Sequence, residues 1–428
     1  MITKLIEEAI KAADPREAVK ESLKVKGKTI VVKGNSFPVV GKVHLLAVGK
    51  AACGMAKAAL EEIPQELLGE VLIVTKRGYG LSCPGRALEA GHPVPDENSL
   101  LAGKLGLELA KKVREEDVLL ALISGGGSSL FVYPAEGVNL KDLIRTNELL
   151  LRSGATIGEV NTVRKHLSRL KGGRLAKAVK GKVISMLISD VVGDDLSSIA
   201  SGPTVPDPTT YRDAYEVLVK RGIWEKVPES VRRIIEWGMK GEIEETPKKL
   251  KNVHNFVIAS NAKACEAVSK RAKELGFNSA VMTTTLEGEA KEIALAVGSI
   301  IEEIAKRNRP IQKPAVLVFG GEWTVTVGDA NGIGGPNQEL ALSITRKIAG
   351  LNATLIAFDT DGTDGPTDAA GAIVDGKTLE KLKKAGVDIE EALENHDSYG
   401  TLMKVGALLK TGPTGTNVNS MIVAVIPR

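Results

Sequence analysis

Four groups of polar residues in this chain stand where an apolar run ends, and their types suit the handling of an anionic group. The first, Ser124-Gly125-Gly126-Gly127-Ser128-Ser129, follows the aliphatic run 118–123. Glycines permit positive φ and let a ligand approach the main chain. Successive free N–H groups in such a loop can cradle an anion, and the serine hydroxyls add donors. A nucleotide phosphate is the natural guest, although a ligand-free strand–helix turn explains the same residues. The run lacks the Gly-Lys-Ser/Thr ending of a P-loop and the spacing of a GxGxxG fingerprint. The second group is Lys50, which follows the apolar run 43–48 and opens an alanine-rich helical pattern. A lysine there can hold a carboxylate or a phosphate, with the helix dipole adding to its charge.

The other two groups are acidic. Asp190, Asp194 and Asp195 follow the run 183–188, and Asp359, Asp361 and Asp364 follow 354–358. Asp190 and Asp361 are candidate Mg²⁺ ligands, because Mg²⁺ takes a few carboxylates together with substrate phosphates. Helix capping competes for Asp190 and turn formation for Asp361. A basic segment, NTVRKHLSRLKGGRLA, carries Arg164, Lys165, Arg169, Lys171 and Arg174 around a Gly-Gly turn. Such a turn between cations suits a phosphate, and the remaining cations are solvated. Arg164 and Asn337 stand as candidate substrate contacts, with helix capping the competing role for Asn337. Glu322 is unassigned. No histidine pair has transition-metal spacing, and no Ser/His/Asp order suggests itself.

The elements that must position these groups alternate. Strands are expected at 29–40 (a hairpin about Lys33-Gly34-Asn35), 43–48, 71–75, 118–123, 183–188, 256–259, 280–283, 315–319, 324–327, 354–358 and 420–426. Helices are expected at 2–22, 51–62, 97–112, 140–151, 159–170, 211–237, 287–307 and 340–349. Strand–helix alternation argues for an α/β protein with mostly parallel sheets in both halves. In open α/β sheets, ligands bind beyond the carboxyl ends of the strands, where all four groups fall. A charged, apolar-poor stretch at 242–252 is the expected linker, giving domains 1–245 and 246–428.

Bulk composition narrows the class. The chain has 428 residues, is 43% hydrophobic and 26% charged, and carries a net charge of +4. That charge is too small to argue for nucleic-acid or membrane binding. No apolar run approaches the length of a membrane span, and the amphipathic first residues do not read as a signal peptide. The three cysteines are far apart and lack a CxxC pair, so neither a disulfide framework nor a structural zinc is expected, and a cytoplasmic location fits. Three glutamines against abundant Lys, Arg and Glu hint at a thermophile. Monomer and homodimer are both compatible with the sequence.

Six stretches carry a resemblance: SGGGSS, NTVRKHLSRLKGGRLA, SDVVGDDLSSIASGPT, the GGE ending at Glu322, NQELAL from Asn337, and FDTDGTDGPTDAAGA. In this order, from near residue 40 to the end, they resemble the glycerate 2-kinase family whose members end in the MOFRL module. The resemblance implies two α/β domains: a Rossmann-like first domain with a mostly parallel sheet, and a smaller MOFRL-type second domain, with a cleft between them. It implies ATP-dependent phosphorylation of D-glycerate to 2-phosphoglycerate with Mg²⁺, on small-molecule substrates only. Lys50 matches the family's active-site lysine; Asp190 joins it as a candidate catalytic residue. An arginine associated with the position before the Asn-Gln-Glu is Pro336 here, so that role does not carry over. The rival class is a nicotinamide-dependent hydroxypyruvate reductase, which the missing GxGxxG disfavours.

Overall fold

The computed structural model describes residues 1–428 and is an α/β protein. The chain forms two compact units. One comprises Pro15–Ser189 and Asp194–Ile258; the other comprises Ala259–Arg428 with Met1–Asp14 and Asp190–Gly193. They are called the amino-terminal and carboxy-terminal units below.

The amino-terminal unit begins with a small antiparallel sheet of β1 (Leu23–Lys26), β2 (Thr29–Val32) and β3 (Asn35–Pro38). The Lys33-Gly34 turn joins β2 to β3, and both residues adopt the positive φ that a two-residue hairpin turn requires. Its main sheet comprises β4 (Val43–Val48), β5 (Leu68–Lys76), β6 (Leu88–Ala90), β7 (Val118–Ile123), β8 (Lys182–Ile188) and β9 (Val253–Ala259). The strand order is β6-β5-β4-β7-β8-β9, and the pairs from β6 to β8 are parallel. Every residue of β4 and β7 is buried, the signature of central parallel strands covered on both faces. This is the expected Rossmann-like sheet. The linker candidate 242–252 lies inside this unit and leads into β9.

The carboxy-terminal sheet comprises β10 (Asn278–Glu289), β11 (Ala315–Thr324), β12 (Thr354–Asp359), β13 (Gly371–Asp375), β14 (Leu408–Leu409) and β15 (Ser420–Ile426). The order is β10-β11-β15-β12-β13-β14. Here the expectation of a mostly parallel sheet is corrected. Only β10 and β11 are parallel; the other neighbours run antiparallel. The last strand of the chain inserts between β11 and β12, and β12 returns directly into β13. Two further readings are corrected. Residues 315–319 and 324–327 do not form two strands about a Gly-Gly-Glu break: β11 runs through Gly320, Gly321 and Glu322. Gly321, at φ +156, sits where a Cβ would be 2.1 Å from Leu286 O, so the glycine lets β10 and β11 close together. Residues 287–289 belong to β10, and the helix starts at Ala290.

The first helix is also shorter than expected. Pro15 stops Ile2–Ala13, and Pro15–Ser22 starts anew. The cysteine reading is corrected as well: Cys53 and Cys83 form a disulfide across a separation of 30 residues, while Cys265 is free and buried. Proximity of this pair comes from packing of the helix Ala52–Glu62 against the turn at Gly80–Ser82, which spacing along the chain does not reveal. No helix is long and apolar enough to cross a membrane.

Candidate active site

In the amino-terminal unit, β4 and β7 lie side by side with Val48 opposite Ile123, so the residues after them start level. Backbone and side-chain bonds then stitch the two turns together. Lys50 N donates to Gly125 O at 2.9 Å, and Ala51 N donates to Ser124 Oγ at 3.1 Å. A Cβ on Gly49 would lie 2.2 Å from Ser124 Oγ, so only glycine permits this approach. Lys50 is thereby fixed beside the glycine loop. A Cβ on Gly126 would come within 3.1 Å of the His92 ring and 3.3 Å of Lys50 Cγ, so these three residues meet. Gly126 has φ +85 and precedes the single helical turn Gly127–Leu130. The amides of Gly125, Gly126 and Gly127 donate no backbone hydrogen bond.

Behind the loop lies a relay that motif reading missed. Ser128 Oγ and Ser201 Oγ share a hydrogen bond of 2.8 Å, and Ser201 Oγ donates to Asn161 Oδ1 at 2.9 Å. Ser201 and Ala200 both hold positive φ, at 59° and 50°. Non-glycine residues in that region are strained and persist where their surroundings dictate the conformation. A prolines-and-glycines loop signals irregular backbone, but nothing in its sequence singles out Ser201.

The basic segment resolves into two classes. Lys165 pairs with Asp207 at 3.4 Å, Arg169 stacks on the Tyr133 ring, and Arg174 donates to Tyr211 OH and Glu244 O at 3.1 Å each. These three are structural. Arg164 and Lys171 have no carboxylate partner. Arg164 Nε donates to Asn147 Oδ1 at 2.9 Å, and Lys171 Nζ donates to Ser128 O at 2.9 Å. Arg164, His92, Gly126, Ser128 and Ser129 line one cavity of about 380 Å³, whose other walls include Val94, Pro95, Ile144 and Leu151. Glu148 also borders it, where it is paired with Arg145 at 3.6 Å. Burial, then repulsion from Lys50 and Lys76, lowers the His92 pKa to about 4, so its ring is neutral at pH 7. The expected grouping of Lys50, residues 124–129 and Arg164 is therefore present within this unit.

In the carboxy-terminal unit, the acidic loop after β12 meets the helix Pro336–Ile348. Asp364 Oδ1 accepts from Asn337 N at 3.1 Å and Asn337 Nδ2 at 3.0 Å; Oδ2 accepts from Gln338 N at 2.8 Å. Asn337 Nδ2 also donates to Ser420 Oγ at 2.9 Å, and Ser420 Oγ donates to Asp359 Oδ2 at 3.2 Å. Asn337 is thus buried at the junction of helix and acidic loop, with Oδ1 unpartnered. Asp361 is half-buried; its Oδ1 accepts from Thr363 N and Oγ1 at 2.8 Å each, the turn role weighed for it. Burial raises the Asp364 carboxyl to about 6 against the bonds it accepts, and burial together with Asp361 pushes Asp359 up.

Asp190 belongs to this unit and acts on Glu322. Glu322 is solvent-exposed, and its carboxyl is raised by desolvation from the surrounding protein, then by Asp190 and by Glu287, its partner across β10 and β11. Like charges so placed repel, and a cation would relieve them. No group of three or more His, Cys, Asp or Glu forms a ready-made metal site. The residues fit Mg²⁺, which completes its shell from substrate oxygens and water, better than they fit a transition metal.

Asp364 should matter for stability. Asp364→Ala leaves two helix-start amides and one side-chain amide without their acceptor, and should cost about 2 kcal/mol. Urea unfolding measures this; an unchanged midpoint would show that other acceptors serve those groups.

Comparison with known proteins places the chain. Residues 1–236 match the model of a domain of unknown function, DUF4147, and residues 315–420 match that of the MOFRL family. A glycerate 2-kinase of Pyrococcus horikoshii is 57% identical over 99% of this chain and 96% of its own length. The chain belongs to the glycerate 2-kinase family. The crystal structure of a glycerate kinase from Thermotoga maritima superposes with a TM-score of 0.88 at 47% identity, over 99% of this chain and 98% of that one. A relative in Agrobacterium vitis, 39% identical over 98% of this chain and 93% of its own length, is named a putative hydroxypyruvate reductase. The glycerate 2-kinase family thus contains both labels weighed from sequence, and members on both sides share the full two-domain length.

Proposed function

We propose that the protein transfers a phosphoryl group from ATP to the 2-hydroxyl of D-glycerate, giving 2-phosphoglycerate and ADP, with Mg²⁺ required. One observation carries the reading. Lys50, Arg164 and Lys171 lie in or behind a glycine loop with unused amides, and none has a carboxylate partner. Buried or half-buried cations without counter-charge are costly unless an anion completes them. ATP supplies the transferable group and Mg²⁺ neutralises the charge that gathers on it during transfer.

The chain's own part is positioning and charge. Amides of residues 125–127 receive nucleotide phosphates, joined by the Ser128 and Ser129 hydroxyls once these turn from Ser201 Oγ and Gly126 O, with Ser124 anchoring the loop to Ala51. The apolar wall of Val94, Pro95, Ile144 and Leu151 suits a nucleoside, since ligand pockets are largely apolar with a few fixed polar groups. Lys50 and Arg164 hold the carboxylate of glycerate or the group in transfer; in the carboxy-terminal unit, Asn337 is a candidate substrate contact through its unpartnered Oδ1. Asp190 and Asp361 serve Mg²⁺. Asp190 is also the first candidate to take the proton from the 2-hydroxyl. His92, neutral at pH 7, offers a hydrogen bond without adding charge.

The reductase reading finds no dinucleotide fingerprint after β4 or β7. ADP released from ATP only when D-glycerate is present supports the kinase. NADH or NADPH oxidation with hydroxypyruvate, and no ADP from glycerate, overturns it.

A further inference from the structure

We propose that Lys171 is a positioning residue for the anion subsite: from behind the glycine loop it grips the Ser128 carbonyl and holds that serine in place beside Arg164. The inference rests on the nucleotide and glycerate reading above. Lys171 is only 4% exposed. An ammonium has three N–H donors, and the one acceptor that Lys171 reaches is Ser128 O, at 2.9 Å. Ser128 is therefore gripped twice, at its carbonyl by Lys171 and at its hydroxyl by the Ser201–Asn161 relay. The same serine lines the cavity with Arg164.

The charges around Lys171 do not compensate it. From the helix Ile157–His166, Arg164 repels it. Lys165 and His166 on that helix are matched by Asp207 and by Glu245, at 3.4 and 2.9 Å. The turn Gly127–Leu130 brings only serine hydroxyls, and the turn Ile199–Ser201 brings only Ser201. Asp195, in the preceding loop, is engaged by Ser197 and Ser198 and feels Lys165. Burial, then Arg164, lowers the Lys171 pKa to about 7. A lysine in this state is partly neutral at neutral pH, and an anion beside Arg164 and Ser128 favours its charged form. Anion binding is thereby linked to proton uptake.

The sign of the effect follows. Affinity for the anion is greatest where Lys171 is already protonated and weakens as pH rises above about 7. The test uses the full chain between pH 7 and 9, where glycerate and the triphosphate stay ionised, and compares KM for ATP at saturating Mg²⁺. For the wild type KM should rise about 5-fold across this range if a bound anion raises the Lys171 pKa by about one unit. Lys171→Met should show a flat KM close to the wild-type value at pH 9, so the two curves converge. Lys171→Arg should keep the low KM up to pH 9, and kcat should move less than KM in each variant. A gap between wild type and Lys171→Met that is constant with pH, or a wild-type KM that is flat, overturns the proposal. Should the Met variant fail to fold, wild-type protein titrated with inorganic sulfate settles it. Calorimetry at pH 7.5 in buffers of different ionisation enthalpy should show a fraction of a proton taken up; no uptake overturns the proposal. That measurement needs no turnover, so it stands apart from any failure of the kinase reading.

Discussion

Lys50→Ala should lower kcat/KM for D-glycerate by at least ~100-fold, roughly 3 kcal/mol of lost transition-state stabilisation, while the protein stays folded. The size follows from the absence of a substitute. Lys50 begins the turn after β4 with its backbone bonded to Gly125 O, and its side chain stands beside Gly126 and His92. His92 is held neutral and supplies no charge. Arg164 lines the cavity that Gly126 and His92 border, but it is tied to Asn147. The Lys50 side chain accepts no structural duty in the hydrogen bonds that fix the loop, since those use its main chain. Truncation therefore removes charge and leaves the loop intact. Steady-state kinetics alongside a thermal melt would check this. Near-normal kcat/KM in a folded variant would remove Lys50 from the site.

Asp190→Asn should raise the Mg²⁺ concentration for half-maximal rate by on the order of 100-fold, because even residues that only support a metal ligand cost 10–100-fold. Asp190 and Glu322 repel in the carboxy-terminal unit, with Glu287 adding to the repulsion. Removing one charge relieves that repulsion, and a cation that needs the carboxylate should bind less well while the chain stays folded. A Mg²⁺ titration of the rate distinguishes the two roles weighed for this residue. Unchanged Mg²⁺ dependence would return Asp190 to a helix-capping or loop role.

What could be read from the sequence depended on how local the physics was. The run Val118–Ile123 and the helix Glu97–Lys112 match their patterns residue for residue, because full burial and a 3.6-residue period are local signals. The Asp96 cap, closed by Ser99, is another such local feature. The carboxy-terminal sheet was not legible in the same way. Alternating strands and helices carry no record that β15 slots between β11 and β12, and pairing partners far apart in sequence decide parallel against antiparallel. Reading Gly320-Gly321-Glu322 as a break failed because glycines mark close approach of strands as readily as turns. The disulfide between Cys53 and Cys83 was missed for the same reason, since contact depends on tertiary packing.

The site divides likewise. Motif spacing brought out Lys50, the glycine loop and Arg164, and the structure groups them within one unit. Lys171 looked like any of five cations in its segment. Its burial, and the partners of Lys165, Arg169 and Arg174, separate it from them. Asn337 read as a helix cap or a substrate contact. Its side chain binds Asp364 and Ser420, and its burial could not be seen from an Asn at a helix start.

The central claim is that the phosphoryl group goes to the 2-hydroxyl of glycerate, and enolase coupling tests it most directly. Enolase consumes 2-phosphoglycerate and needs a mutase to use the 3-isomer. With D-glycerate, ATP and Mg²⁺, the account predicts a coupled signal from enolase alone. A signal that appears only after mutase is added would contradict the assignment of the 2-hydroxyl, and no signal under either condition would contradict phosphorylation of glycerate.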